Sequence, residues 1–318
     1  MNYRSVAQLN RDVLNWLSVL PEDIDLFVGI PRSGMLVATL LGLHANRRVA
    51  ELGEFLKGNV MDFGASKKEF GVASAEVRPS RRILVVDDSI CSGREMGIAR
   101  RQLSEIGKSV NILYGAVYAS PNAKHQVDLY YEVVPFPRLF EWNMMHHSCL
   151  PQACVDIDGV LCRDPSEDEN DDGARYENFL TKVPLLRRPS LKIGWLVTCR
   201  LERYRGLTEN WLRTNGIAYD KLVMMDLPDK AARIASGGHA AHKAAVYKSC
   251  SAEVFIESSA AQAGKIARAS GKYVICLETG ESIAPGAISR LKMNFYKKGG
   301  NLKWRWQKKL NLLLKRSQ

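Results

Sequence analysis

Short apolar runs punctuate the chain, each closing on small or acidic residues and giving way to a stretch with helix-like spacing. In the first half they are DLFVGI at 25–30, RILVVDD at 82–88, VNILYGAVYAS at 110–120 and VDLYYEVV at 127–134. In the second half they are ACVDIDG at 153–159, IGWLVT at 193–198, KLVMMD at 221–226, EVFIESS at 253–259 and YVICLE at 273–278. Strands alternating with helices predict an α/β fold of two doubly wound parallel sheets. Ligands of such sheets sit where strand carboxyl ends meet helix amino termini, so the polar ends of these runs are the places to look for chemistry. The stretch PFPRLFEWNMMHHSCLPQ at 135–152 has three prolines and no clear period, which puts a domain boundary near Cys149. The expected division is 1–148, 149–289 and a tail at 290–318.

Length agrees with this division, because 318 residues is about twice what one globular domain takes. A hydrophobic fraction of 46% supplies material for buried cores and excludes a wholly disordered or fibrous chain. No run is long and apolar enough to span a bilayer, and the polar start MNYRSVAQLNRDVLNW does not read as a signal peptide, so a cytoplasmic chain is expected. Seven cysteines without a CxxC pair argue for reduced thiols and against a cysteine zinc site. The net charge of +11 is local: residues 290–318 hold ten Lys or Arg and no acid, which leaves +1 for the remainder. A nearly neutral body lacks the basic groove of a nucleic-acid binder, and no nucleic-acid partner is expected. The acidic stretch PSEDENDDG at 165–173 reads as a solvated loop.

In ILVVDDSICSGREM at 83–96 a buried strand delivers Asp87 and Asp88 to a small polar turn and a helix. Backbone N–H groups around Ser89, Ser92 and Gly93 suit a phosphate, while the carboxylates suit ribose hydroxyls or a hydrated magnesium ion. A strand end with an acidic helix cap is the alternative for two Asp alone. The segment resembles the phosphoribosyl pyrophosphate (PRPP) motif of type I phosphoribosyltransferases. FVGIPRSGMLVATLLG at 27–42 supports the resemblance as an earlier strand, turn and helix, where that family puts its pyrophosphate loop. By this resemblance Arg32, Ser33, Gly34, Asp87, Asp88, Ser89, Cys91, Ser92, Gly93 and Arg94 bind PRPP, and residues 54–80, rich in Gly, Ser and Lys, form a loop that closes over it. The chain departs from the family in carrying Glu95 where Thr or Ser is usual, and Cys91 where some purine-specific members have an acid. The neighbouring His146 and His147 are read as structural or acceptor-binding rather than as metal ligands.

ACVDIDGVLC at 153–162 puts Asp156 and Asp158 on one side of a strand end. Such a pair can share magnesium, leaving one carboxylate to attack phosphorus and one to move a proton. With Thr198 of LVTCR, Lys243 of HKAAVYK and Glu257 of VFIESS, the ordered set resembles the haloacid dehalogenase (HAD) phosphatases over about 152–280. The resemblance makes Asp156 the nucleophile and Asp158 the acid/base. Thr198 and Lys243 then hold the phosphoryl group, and Asp156, Asp158 and Glu257 hold Mg2+. Only 42 positions separate Asp156 from Thr198, too few for a large helical cap, so an open site taking a phosphate on something bulky is expected. TCRLERYRGLTENWLRTNGI at 198–217 is also similar to the phosphatase part of polynucleotide kinases.

The tail segment LKWRWQKKLNLLLKR at 302–316 sets Leu302, Trp306, Leu310 and Leu313 on one helical face, expected either to pack on the body or to lie on an anionic membrane surface. Together the motifs resemble fused phosphoribosyltransferase and phosphoribosyl phosphatase proteins that build ribofuranose into bacterial polysaccharides. That resemblance implies PRPP as donor, a lipid-linked glycan acceptor, Mg2+ as cofactor, and a cytoplasmic enzyme held peripherally at the membrane. Nucleobase salvage coupled to a nucleotidase, or a non-enzymatic PRPP sensor, are the alternatives.

Overall fold

The computed structural model describes residues 1–61, 82–104 and 110–286. The chain divides into two units, Met1–Trp142 and Asn143–Gln318. Most of the proposed closing loop at 54–80, and all of the tail at 290–318 with its proposed membrane face, lie outside the described residues.

In the first unit the strands β2 (Ile24–Gly29), β3 (Arg48–Glu51), β4 (Arg82–Ile90), β5 (Asn111–Ala119) and β6 (Leu129–Val133) form a parallel sheet of order β3-β2-β4-β5-β6. The run in β4 is continuous because both faces of the sheet are covered. Ile83 and Val85 enter one apolar cluster and Leu84 and Val86 the other, and all four are essentially buried. Helix α1 (Val6–Leu17) caps on Ser5. It buries Leu9, Val13 and Trp16 at helical spacing, each a gain of about 1.5–3 kcal/mol. Helix α2 (Ser33–Ala45) lies close over the sheet, and a Cβ on Gly42 would fall 2.2 Å from Val49 Cγ2. Helix α3 (Leu52–Leu56) caps on Glu51, and α4 (Arg94–Gln102) follows β4. Strands β1 (Asn2–Arg4) and β7 (Arg138–Phe140) pair separately. Tyr118, Phe140 and Trp142 stack with centroids 5.4 and 5.0 Å apart.

The second unit has a six-stranded sheet of order β10-β9-β8-β11-β12-β13. Its members are β8 (Ala153–Val155), β9 (Ile193–Leu201), β10 (Tyr219–Met225), β11 (Val254–Glu257), β12 (Val274–Cys276) and β13 (Glu281–Ile283). All neighbours are parallel except β12 and β13, an antiparallel edge that the apolar runs do not announce. Helices α5 (Ala174–Lys182), α6 (Arg205–Thr214), α7 (Lys230–Ala235), α8 (His239–Ser249) and α9 (Ala260–Ser270) surround the sheet. Among the described residues no helix is long and apolar enough to cross a membrane.

Candidate functional sites

In the first unit the chain runs from β2 outward to β3 and then returns to the other side of β2 as β4, so the sheet changes direction between β2 and β4. A crevice outside the carboxyl ends of two such strands is the usual ligand position. The loops at these ends are the two that the sequence singles out, and they touch. Ile30 N–H donates to Val86 O at 2.9 Å, and a Cβ on Gly34 would lie 2.5 Å from Val86 O and 3.1 Å from Asp87 Cα. Only glycine allows that approach. The Pro31–Arg32 peptide is cis, and Arg32 is exposed as the N-cap of α2, one residue before Ser33 opens the helix.

Neither α2 nor α4 has a side-chain cap bond at its N-cap residue, Arg32 and Gly93, whereas α1 and α3 do. Their first N–H groups face the crevice end of the sheet, a favourable setting for an anion. Gly93 has φ +73°, the left-handed turn that starts α4. Cys91, Ser92, Arg94 and Glu95 are exposed, while Ser89 pairs with Tyr118 inside the sheet. The acids are strongly perturbed. Burial, and next the Asp88 carboxylate, push Asp87 up to about 9. Burial raises Asp88 also, opposed by the hydrogen bonds of Asp87 and Trp142. Both shifts run toward the neutral carboxyl, as expected of two buried acids side by side. Trp142 Nε1 donates to Asp88 Oδ2 at 2.7 Å, a positioning contact that no motif in the sequence announces. His147 Nδ1 accepts from Cys149 N–H at 3.2 Å, and His146 is exposed.

In the second unit the chain leaves β8 toward β9 and β10 on one side and returns to β11 on the other. Asp156 directly follows β8, Thr198 lies near the end of β9, and Glu257 ends β11. Asp156, Asp158, Thr198 and Lys243 line one cavity of about 200 Å3. Lys243, from α8, is buried, and its ammonium donates to Asp156 Oδ2 at 2.6 Å, Glu257 Oε2 at 2.7 Å and Gln262 Oε1 at 3.0 Å. Burial pushes Asp156 up to about 7, against the pull of Lys243. Asp158 is forked by Arg200, whose Nε lies 3.1 Å from Oδ2 and whose Nη2 lies 2.7 Å from Oδ1. Arg200 is fully buried and is missed by sequence reasoning, where a basic residue at a strand end looks like a solvent-facing one.

The acidic stretch at 165–173 is a loop with Ser166, Glu167, Asp168 and Asp171 exposed, as expected, and it is also tied into the unit by the residues around it. Both Glu169 oxygens receive Arg163 at 2.6 Å, Asp172 pairs with Arg203, and Lys230 N–H donates to Asp172 at 2.9 Å. Asp164, Pro165 and Asn170 line the cavity, so the site is partly walled by the loop.

Among the described residues no group of three or more His, Cys, Asp or Glu is arranged to hold a metal ion. Magnesium does not require such a cage, since it keeps several waters and takes one or two carboxylates. Asp156 and Asp158 supply those oxygens in the cavity, and their donor chemistry fits. Glu257 is fully buried, with Oε2 on Lys243 and Oε1 accepting from Ser259 N–H at 3.0 Å.

No protein-family model and no curated protein matches the chain. Solved structures that it is similar to include phosphoribosyltransferases. The xanthine-guanine-hypoxanthine phosphoribosyltransferase of Helicobacter pylori is 18% identical, with 45% of this chain and 91% of that one covered at a TM-score of 0.34. A purine phosphoribosyltransferase of Pyrococcus horikoshii is 17% identical, with 45% and 94% covered at 0.32. The orotate phosphoribosyltransferase of Mycobacterium tuberculosis is 17% identical, with 41% and 69% covered at 0.27.

Proposed function

We propose that this chain transfers ribosyl 5-phosphate from PRPP to a hydroxyl of a glycan acceptor and then removes the 5-phosphate, the net result being transfer of ribose. The observation that carries this reading is the convergence of Asp156, Asp158, Thr198 and Lys243 on one cavity, in a chain whose other unit brings Gly34 against Asp87. In the first step Asp87 and Asp88 accept hydrogen bonds from the ribose hydroxyls. The N–H groups at Ser92 and Gly93 receive the 5-phosphate, and Arg32, Ser33 and Gly34 receive the diphosphate. The bond from ribose C1 to pyrophosphate breaks with its electron pair leaving on pyrophosphate. The acceptor hydroxyl adds to the opposite face and gives up its proton. Arg94 offsets the exposed Glu95 beside the loop, and Cys91 leaves no acid there to read a purine.

In the second step the Asp156 carboxylate attacks phosphorus, and the ribose 5-oxygen leaves with a proton from Asp158. Asp158 then takes a proton from the water that cleaves the aspartyl-phosphate. The Arg200 fork fixes the orientation of the Asp158 carboxyl group for both proton transfers. Thr198 and Lys243 hold the phosphoryl oxygens. Magnesium, when bound, neutralises phosphoryl charge; Asp156 and Asp158 would hold it, with Glu257 adding negative charge behind Lys243. A cavity of about 200 Å3 is smaller than the ~300–1,000 Å3 that encloses a whole small ligand, which favours a terminal phosphate whose bulk stays outside. A lipid-linked acceptor, and a tail that brings the chain to it, belong to the same reading.

The test is the full chain with PRPP, Mg2+ and a series of lipid-linked glycans, scored by pyrophosphate release and by product mass. The Asp156→Asn variant is expected to accumulate the phosphoribosyl glycan with transfer intact. Ribose transfer without any phosphorylated intermediate in that variant refutes the sequence of steps. Turnover of free nucleobases instead marks the chain as a salvage enzyme, and tight PRPP binding with no turnover of any acceptor marks it as a sensor.

A further inference from the structure

Two buried cations near the phosphatase cavity are matched by carboxylates: Lys243 by Asp156 and Glu257, and Arg200 by Asp158. A third is not. Arg233 lines the cavity and is only 7% exposed, yet its partners are neutral. Its Nη1 donates to the Cys199 carbonyl at 3.3 Å and its Nη2 to Asn170 Oδ1 at 3.2 Å, while its buried Nε has no partner. A buried guanidinium without a counter-charge is costly unless an anion completes it. Its position is built with care. The short helix α7 that carries it is capped by Asp229, which accepts from Ala232 N–H at 2.8 Å. Lys230 of the same helix is held by Asp172 and by the Asn170 carbonyl. Glu169 and Asp172 are fixed in turn by Arg163 and Arg203.

We propose that Arg233 is an anion-binding residue of the phosphatase site, donating to a non-bridging oxygen of the substrate phosphoryl group, and that the 163–173 segment positions it through Asn170. This rests on the phosphatase reading above and adds to it a ligand that neither the D-x-D motif nor Lys243 supplies. It also gives the acidic stretch a purpose: its side chains hold a cation in place instead of repelling the substrate.

The test uses the full chain with p-nitrophenyl phosphate and Mg2+ for turnover and inorganic phosphate for inhibition and calorimetric binding. Arg233→Ala is expected to weaken inorganic phosphate about tenfold to a hundredfold and to raise KM correspondingly. Arg233→Lys, which keeps the charge and loses the fork, is expected to fall between it and the unsubstituted protein, and it decides the matter if the alanine variant does not fold. Asn170→Ala is expected to raise KM more than it lowers kcat, which general loosening of the fold would not do. If the unsubstituted protein turns over substrate while both Arg233 variants bind phosphate as tightly as it does, the role of Arg233 is overturned and the phosphatase reading stands. Absence of both hydrolysis and phosphate binding in the unsubstituted protein overturns the two together.

Discussion

Arg200→Met removes a fully buried guanidinium that forks Asp158, grazes Cys162 Sγ at 3.4 Å and lies 5.8 Å from the Trp211 ring centroid. Methionine fills most of the volume, so the loss is chiefly electrostatic. Breaking a buried pair by deleting one member costs about 3–5 kcal/mol, because the survivor keeps its charge without its partner. The Asp158 side chain is 17% exposed at the cavity, which lets water relieve part of the penalty and sets the expectation near ~3 kcal/mol. Asp158→Asn leaves the opposite residue behind, a guanidinium with no exposure at all, and should cost at least as much. The double variant Arg200→Met/Asp158→Asn strands neither charge and should cost no more than the worse single one, a coupling of at least ~3 kcal/mol. The assay is urea unfolding of the full chain read by hydrogen exchange in β9 and α6, which isolates the unit concerned. Single losses below ~1 kcal/mol, or losses that simply add, refute the claim that this pair is bound as a unit.

Two further outcomes follow from the first unit. Gly34→Ala would set a methyl group 2.5 Å from the Val86 carbonyl, a backbone atom that cannot swing away, so PRPP affinity by calorimetry should fall at least tenfold while p-nitrophenyl phosphate hydrolysis is unchanged; equal PRPP affinity refutes the loop contact. Asp87 binds its proton more tightly folded than unfolded, so the stability of the unliganded first unit should decline as pH rises from about 4 through about 9. Asp87→Asn should flatten that decline in urea titrations, and a slope equal to that of the unsubstituted protein counts against the buried pair.

The strands that carry the two sites are legible because a continuous apolar run ending in acids suits a buried strand whose tip meets solvent and little else, and β4, buried without a break over 83–86, is the clearest of them. Strands β1 and β7 are not, since three residues hold no period and their partners lie more than a hundred positions apart. Within the sites, Asp156, Thr198 and Lys243 are readable from residue type and order. Arg200 and Arg233 are not, because nothing in a sequence separates a buried arginine from an exposed one until its partner is known. The acidic loop is solvated as its composition suggests, but the pairing of Asp172 with Arg203, thirty-one positions away, cannot be read from it for the same reason. The proline-rich stretch at 135–152, which reads as a connector, carries β7 and two of the three rings of the aromatic stack.

That stack sets a rule for anyone dividing the chain into separate proteins. The sheet of the first unit is complete at Val133, but the indole that steadies Asp88 arrives nine positions later. A fragment trimmed to the last sheet strand would keep every residue proposed to bind PRPP and lose the bracket on one of them. A cut after Trp142 retains that bracket, and the same indole then offers a native fluorophore beside the Asp87–Asp88 pair.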